Sequence, residues 1–283
     1  MSSRSSASAW RYYKGAFIPS CAPHEEQDLA ELSDGSLWAR KEKGLFARYT
    51  ENFDKSEKGS FWYVICDSFP ELSQMKAKRR YEITRAQRFF ETKVIDCLEY
   101  REELLQVQKE AFSAYPKKYR PRVERESFFA YLDRISAEGY TVIASFSKDD
   151  GHLCGFSLIK DHGSYADFSV QRTIPAEEKK GVNAALVWAV LSCFEDRLHG
   201  GYYILDGSRS ISHESAFQDY LEKYFGFRKA YCDLRIVYRP RVGLVVKILY
   251  PFRGLLRLFD GIGAVHSVNS LLMMEALGRG KEK

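Results

Sequence analysis

The segment from Tyr165 to Leu198 constrains the fold of this chain more than any other. Tyr165 to Ile174 is β-prone, alternates apolar and polar side chains, and stops at Pro175, which has no N–H to donate to a sheet. A charged turn, Glu177-Glu178-Lys179-Lys180, and Gly181 come next, and the following residues are rich in Ala and Leu, which favours a helix. We expect that helix over Glu177 to Leu198. A strand leading through a tight turn into a helix is a building unit of α/β folds.

Other elements are read around this unit. Phe61 to Cys66 predicts a strand and Leu72 to Phe90 a helix, followed by a short strand at Thr92 to Ile95. Two helices are expected at Tyr100 to Ala114, burying Leu104, Leu105, Val107 and Ala111, and at Glu124 to Ser136. Tyr140 to Phe146 and Leu153 to Ile159 read as a hairpin around Ser147 to Gly151. A strand at Tyr202 to Leu205, a helix at Glu214 to Tyr224 stopped by Gly226, and a last strand at Ala230 to Tyr238 complete the pattern.

With 283 residues, 45% hydrophobic and 29% charged, the chain is not a disordered or fibrous protein. The charge of +5 comes from 43 basic against 38 acidic residues, too small a surplus to make nucleic acid the default partner. Six widely spaced cysteines lack any C-x-x-C or His spacing for zinc and are expected to be buried, reduced thiols. Met1 to Ala9 is Ser-rich without the apolar centre of a signal peptide, and no apolar run is long enough to span a bilayer, so a cytoplasmic protein is expected.

The stretch Gln171 to Leu186, Q-R-T-I-P-A-E-E-K-K-G-V-N-A-A-L, resembles the signature of the GNAT acyltransferases, with Pro175, Gly181, Val182, Ala184, Ala185 and Leu186 in place. Glu178 stands where that family has Arg or Gln, and Asn183 where it has Gly or Ala. The resemblance implies an α/β (α+β) fold, a mixed, mostly antiparallel sheet flanked by helices, and acetyl-CoA or another acyl-CoA as co-substrate. It places Gln171, Thr173, Lys179, Lys180, Gly181, Val182, Asn183 and Ala184 around the cofactor. Free N–H groups at a helix start suit a pyrophosphate. The plainer alternative is an ordinary helix start with a solvated E-E-K-K face.

Ser215 to Ala230 resembles the later helix of the same family, ending at Gly226-Phe227. Where many members carry a proton-donating Tyr, four residues before that Gly, this chain has Glu222; Tyr220 and Tyr224 read as packing residues. Between the two motifs, Asp206 to Glu214 follows a strand end where the resemblance places the substrate cleft. His213 is the candidate base, with Asp206 to orient or replace it, and Ser208 and Arg209 are candidates to bind the acceptor, Arg209 through an anionic group. Helix capping by Asp206 or Ser212, with His213 on the surface, is the alternative.

Gln74 to Phe89 resembles a basic helix of FemABX-like transferases, which pair two GNAT-type folds. Lys76, Lys78, Arg79, Arg80, Arg85 and Arg88 are either phosphate or carboxylate ligands or a solvated face. The organisation implied is a partial GNAT-like region over 1–91, an acyltransferase domain over 92–240 and an apolar, basic tail over 241–283. That tail is expected to be dispensable for the fold; it either lies in a membrane interface, which would put the protein at the inner membrane face, or packs on the core or a sister chain. The expected activity is acyl transfer from acyl-CoA to an amine or hydroxyl of a small molecule, sugar or cell-envelope precursor. The alternatives are FemABX-like transfer from aminoacyl-tRNA, the one case in which nucleic acid is a partner, and a non-catalytic binding protein of the same fold.

Overall fold

The computed structural model describes residues 9–198, 200–210, 216–261 and 263–280. Its strands are β1 (Trp10–Tyr13), β2 (Ala16–Pro19), β3 (Phe46–Lys55), β4 (Phe61–Cys66), β5 (Phe90–Ile95), β6 (Thr141–Ser147), β7 (Leu153–Asp161), β8 (Tyr165–Thr173), β9 (Tyr203–Ser208) and β10 (Arg228–Tyr238). Its α-helices are α1 (Ala30–Ser33), α2 (Ala77–Phe89), α3 (Arg101–Ser113), α4 (Arg125–Ala137), α5 (Val182–Cys193), α6 (Ala216–Tyr224), α7 (Pro240–Leu249), α8 (Arg253–Leu256) and α9 (Gly263–Gly278). Two compact units divide the chain: residues 1–63, 208–215 and 229–283, and residues 64–207 and 216–228.

In the first unit β1 and β2 form a hairpin around Lys14-Gly15, β2 runs parallel to β3, and β3 pairs antiparallel with β10 from Phe46↔Tyr238 to Lys55↔Tyr231. Its core gathers Ala16, Phe46, Phe61, Cys232 and Leu234 with Met274 and Leu277 of α9. Leu272 closes a neighbouring cluster with Val246 and Tyr250. Val246, Tyr250, Leu272, Met274 and Leu277 of the tail are therefore core residues, so of the two readings of the tail the structure has the one in which it packs on the core, where it is not dispensable. Leu272→Ala should cost about 2–5 kcal/mol, read as a lower urea midpoint, because the side chain is fully buried.

The second unit holds the order β9-β8-β7-β6-β5, antiparallel except for the parallel β8–β9 pair. Leu104, Val107, Phe128 and Leu132 of α3 and α4 cover Val142, Ala144, Phe156 and Leu158 of the sheet. The adjacent residue Gly155 points the other way, and a Cβ there would stand 3.0 Å from Leu186 of α5 and 2.8 Å from a β8 carbonyl. That close approach is why α5, apolar on every side, lies between β5, β6 and β7 and helix α2. The single helix expected over Glu177 to Leu198 is instead a 3₁₀ turn (Pro175–Lys180), α5 and a second turn (Glu195–Arg197), because Gly181 is left-handed at φ 100° and breaks it.

Of the six cysteines, all free, Cys193 is exposed rather than buried as expected, since it closes the last turn of α5; Cys66, Cys97, Cys154 and Cys232 are buried. Among the described residues no helix is long and apolar enough to cross a membrane, and no group of His, Cys, Asp and Glu suits a metal ion.

Candidate active site

The parallel ladder between β8 and β9 runs Tyr165↔Tyr203, Ala166↔Ile204, Asp167↔Leu205, and among the described residues it ends there. Both strands continue, β8 to Thr173 and β9 to Ser208, so they part at this point. On its other edge β8 carries one extra residue at the same level: Leu158 pairs with Val170 and Ile159 with Phe168, leaving Ser169 as a bulge. A bulge twists its strand and re-aims its backbone groups, which is how a sheet opens a wedge without leaving the fold.

Asp206 is the first residue of β9 past the ladder. Its half-buried carboxyl is pushed up to about 7, first by loss of water and then by the nearby charge of Asp167, with a hydrogen bond from Gln218 acting the other way. Gln218 Nε2 of α6 also donates to the Asp206 carbonyl at 3.1 Å, fixing helix to strand end. A carboxylate with this affinity for protons is half ionised near neutrality, the condition that suits a general base. Beside it, Phe217 of α6 meets Phe168 of β8 edge-on at 5.9 Å, and Tyr220 packs between Tyr224 and Phe225. Burial raises the Tyr220 phenol above its ordinary value, so it keeps its proton.

Of the residues expected around CoA, Gln171, Thr173 and Asn183 form one polar cluster. Gln171 Nε2 donates to Asn183 Oδ1 at 2.8 Å, Ser157 Oγ donates to Gln171 Oε1 at 3.1 Å, and Thr173 Oγ1 reaches Asn183 Oδ1 and Glu178 Oε1, each at 3.4 Å. Lys179 is exposed, while Lys180 Nζ pairs with Glu177 Oε2 at 3.0 Å. Val182 and Ala184 are buried, so neither side chain lines an open surface at the helix start.

Gly181 needs a different explanation from the one the sequence suggests. A Cβ built on it would stand 3.1 Å from Ala86 Cβ of α2, so the open side of this glycine is occupied by a helix and not left for a pyrophosphate. Gly181→Val should therefore destabilise the chain by about 3 kcal/mol or more, through strain at positive φ and displacement of α2, and thermal unfolding should show it without any ligand. An unchanged Tm would show that α2 yields freely at this contact.

Ser208 and Arg209 belong to the first unit. There the Arg209 N–H donates to the Trp62 carbonyl at 2.8 Å, its Nη1 donates to the Ser60 carbonyl, and its guanidinium lies 4.3 Å from the centre of the Trp62 ring. His213 lies outside the described residues.

The Ser169 bulge leaves no signal in the sequence, since one inserted residue does not change the β-prone composition of the strand. The segment after α3 does carry a signal, a run of basic residues. Lys109, Phe112, Lys117, Arg120 and Arg122 line a cleft of about 510 Å³ with no acidic residue in its lining. Arg172 of β8 lies 5.3 Å from the Phe112 ring, and its buried Nε has no hydrogen-bond partner.

No family model matches the sequence, and no curated protein matches it. Solved structures do match the fold. FemX is similar over 82% of this chain and 84% of its own, at 9% identity and a TM-score of 0.53. L-PGS from Bacillus licheniformis is similar over 95% of this chain and 85% of its own, at 15% identity and a TM-score of 0.50. The C-terminal domain (DUF2156) of a putative lysylphosphatidylglycerol synthetase from Agrobacterium fabrum covers 84% of this chain and 82% of that one, at 12% identity and a TM-score of 0.50. The fold is GNAT-like, with the resemblance to FemX that the basic helix suggested.

Proposed function

We propose that the chain is an acyltransferase that moves an acyl group from acyl-CoA to an amine or hydroxyl, and that the second unit carries the chemistry. The observation behind this reading is the parting of β8 and β9 at Asp206, a carboxyl poised to titrate near neutrality at the mouth of the opening. Asp206 takes the proton of the acceptor as its nitrogen or oxygen attacks the acyl carbon; the carbon–sulfur bond of the thioester breaks as the new bond forms, and the CoA thiolate leaves as free thiol with the proton that Asp206 gives up. On this reading, backbone groups freed at the Ser169 bulge stabilise the carbonyl oxygen as it gains charge. His213, which follows Asp206 in the sequence, is a second candidate for the proton transfer. The basic cleft and Arg172 favour an acceptor with an anionic group, such as a phosphorylated sugar or another cell-envelope precursor.

The fold neighbours FemX and the lysylphosphatidylglycerol synthetase domain agree with a transferase, although likeness at this identity bears on the fold alone. One observation favours a second donor. Helix α2, with Lys78, Arg79, Arg80, Arg85 and Arg88, packs through Ala86 on the turn that starts α5, where a polyanionic donor such as aminoacyl-tRNA would gain phosphate contacts. The two are separated by incubating the chain with acetyl-CoA and a set of amines and phosphorylated sugars. Acceptor-dependent release of free thiol supports the first reading. Thiol release that no acceptor raises, together with transfer from aminoacyl-tRNA, replaces it with the second.

A further inference from the structure

The segment from Pro240 to Phe259 has two apolar faces, and the fold uses one. Val246 and Tyr250 are buried with Leu272, and Val242, Leu249 and Leu256 pack against them. Leu244, Ile248, Phe252, Leu255 and Leu258 point away from that cluster and are 62%, 56%, 56%, 58% and 77% exposed. Spaced three to four residues apart through α7, the turn at Tyr250–Phe252, α8 and the turn at Arg257–Phe259, they line one side of successive helical turns. A surface helix ordinarily turns polar residues to water, and an exposed apolar stripe marks a contact surface.

Charge indicates what the contact is. From Arg239 to Phe259 the sequence has no Asp or Glu, while Arg241, Lys247 and Arg257 are exposed within it. A second copy docked on the same stripe would bring these cations against their own counterparts, a repulsive arrangement. An anionic lipid surface supplies the missing negative charge, and long basic side chains reach headgroup phosphates while the apolar residues beside them enter the acyl boundary. We propose that this stripe seats the chain in the interface of an anionic bilayer, so that it works on the membrane surface. The proposal rests on the first unit alone and stands whether or not the acyl-transfer reading does.

The test is flotation of the full chain with vesicles of phosphatidylcholine, with and without phosphatidylglycerol. The chain should float with the anionic vesicles and release them as salt rises. Leu244→Ser with Leu255→Ser and Leu258→Ser should lower the vesicle-bound fraction on the order of tenfold or more, with the Tm unchanged because these side chains are exposed in the folded chain. Arg241→Gln with Lys247→Gln and Arg257→Gln should remove the preference for phosphatidylglycerol. A parent chain that stays with the unbound protein overturns the proposal, as does one that forms a dimer which the serine variants dissociate. The first result would leave the stripe without a lipid role, and the second would assign it to another copy.

Discussion

Asp206→Asn should reduce turnover on the order of a hundredfold or more while making the folded chain more stable at neutral pH. Both effects have one cause. The carboxyl is pushed up to about 7 in the folded chain because folding takes water from it, whereas the unfolded chain holds it at an ordinary carboxylate value. Between about pH 4 and pH 7 the folded state therefore keeps a proton that the unfolded state has lost. By linkage its contribution to stability is greatest below about pH 4, falls as pH rises towards 7, and stays at its lowest above that. Asn imitates the protonated form, so the variant should gain about 1–3 kcal/mol at pH 8 and almost nothing at pH 4. Turnover runs the opposite way in the parent, rising with pH through about 7 as the base ionises. A variant that loses activity with no change in the pH dependence of stability would show that Asp206 acts through some property other than its desolvated proton. One that keeps both activity and pH profile would move the base to His213.

Deletion of residues 241–283 should leave a first unit that does not fold. The deletion removes Val246, Tyr250, Leu272, Met274 and Leu277 from two buried clusters, together with the hydrogen bonds from Ser60 Oγ to the Leu277 carbonyl at 2.6 Å and from the Tyr238 hydroxyl to Glu275 at 2.8 Å. Each large buried side chain contributes about 2–5 kcal/mol, so the sum exceeds the total stability of an ordinary domain. The truncated chain should be insoluble, or should lose protease resistance over residues 9–63 while residues 64–207 stay protected. A soluble truncation with a cooperative melt and a fully protected N-terminal region would return the tail to the status of an appendage.

What the sequence disclosed follows the strength of its local signals. Phe61 to Cys66 matches β4 at both ends, and β5 to β8 and α3 and α4 fall within about two residues of expectation, because each is a continuous run with one dominant period. The first sixty residues yielded no strands, although the structure has three there. β1 and β2 are four residues each, too short for a period to show, and β3 reads F-A-R-Y-T-E-N-F-D-K, with Asn52 and Asp54 at positive φ in a composition that resembles a loop. The tail misled for a related reason: α7 is apolar on its buried and its exposed side alike, so periodicity could not show which side faced the protein.

The site was legible in part. A polar residue after the expected strand marked Asp206, but its affinity for protons comes first from burial and then from Asp167, and both arise only in the fold. Gly181 was singled out for its chemistry with CoA, yet its nearest neighbour is Ala86, ninety-five positions earlier, a contact that no local pattern encodes. Ser208 and Arg209, grouped with Asp206 by adjacency, belong to the other unit.

Calorimetric titration of the full chain with acetyl-CoA is the decisive experiment for acyl transfer, since the chemistry proposed for the β8–β9 opening depends on a thioester being there. Saturable heat is expected at a one-to-one ratio, in the micromolar to millimolar range of ordinary enzyme substrates. The affinity should be nearly unchanged in Asp206→Asn, because Asp206 acts on the acceptor. No heat with acetyl-CoA or free CoA, from a chain that melts cooperatively, would contradict acyl transfer from CoA and leave an aminoacyl-tRNA donor, or a binding role without catalysis, in its place.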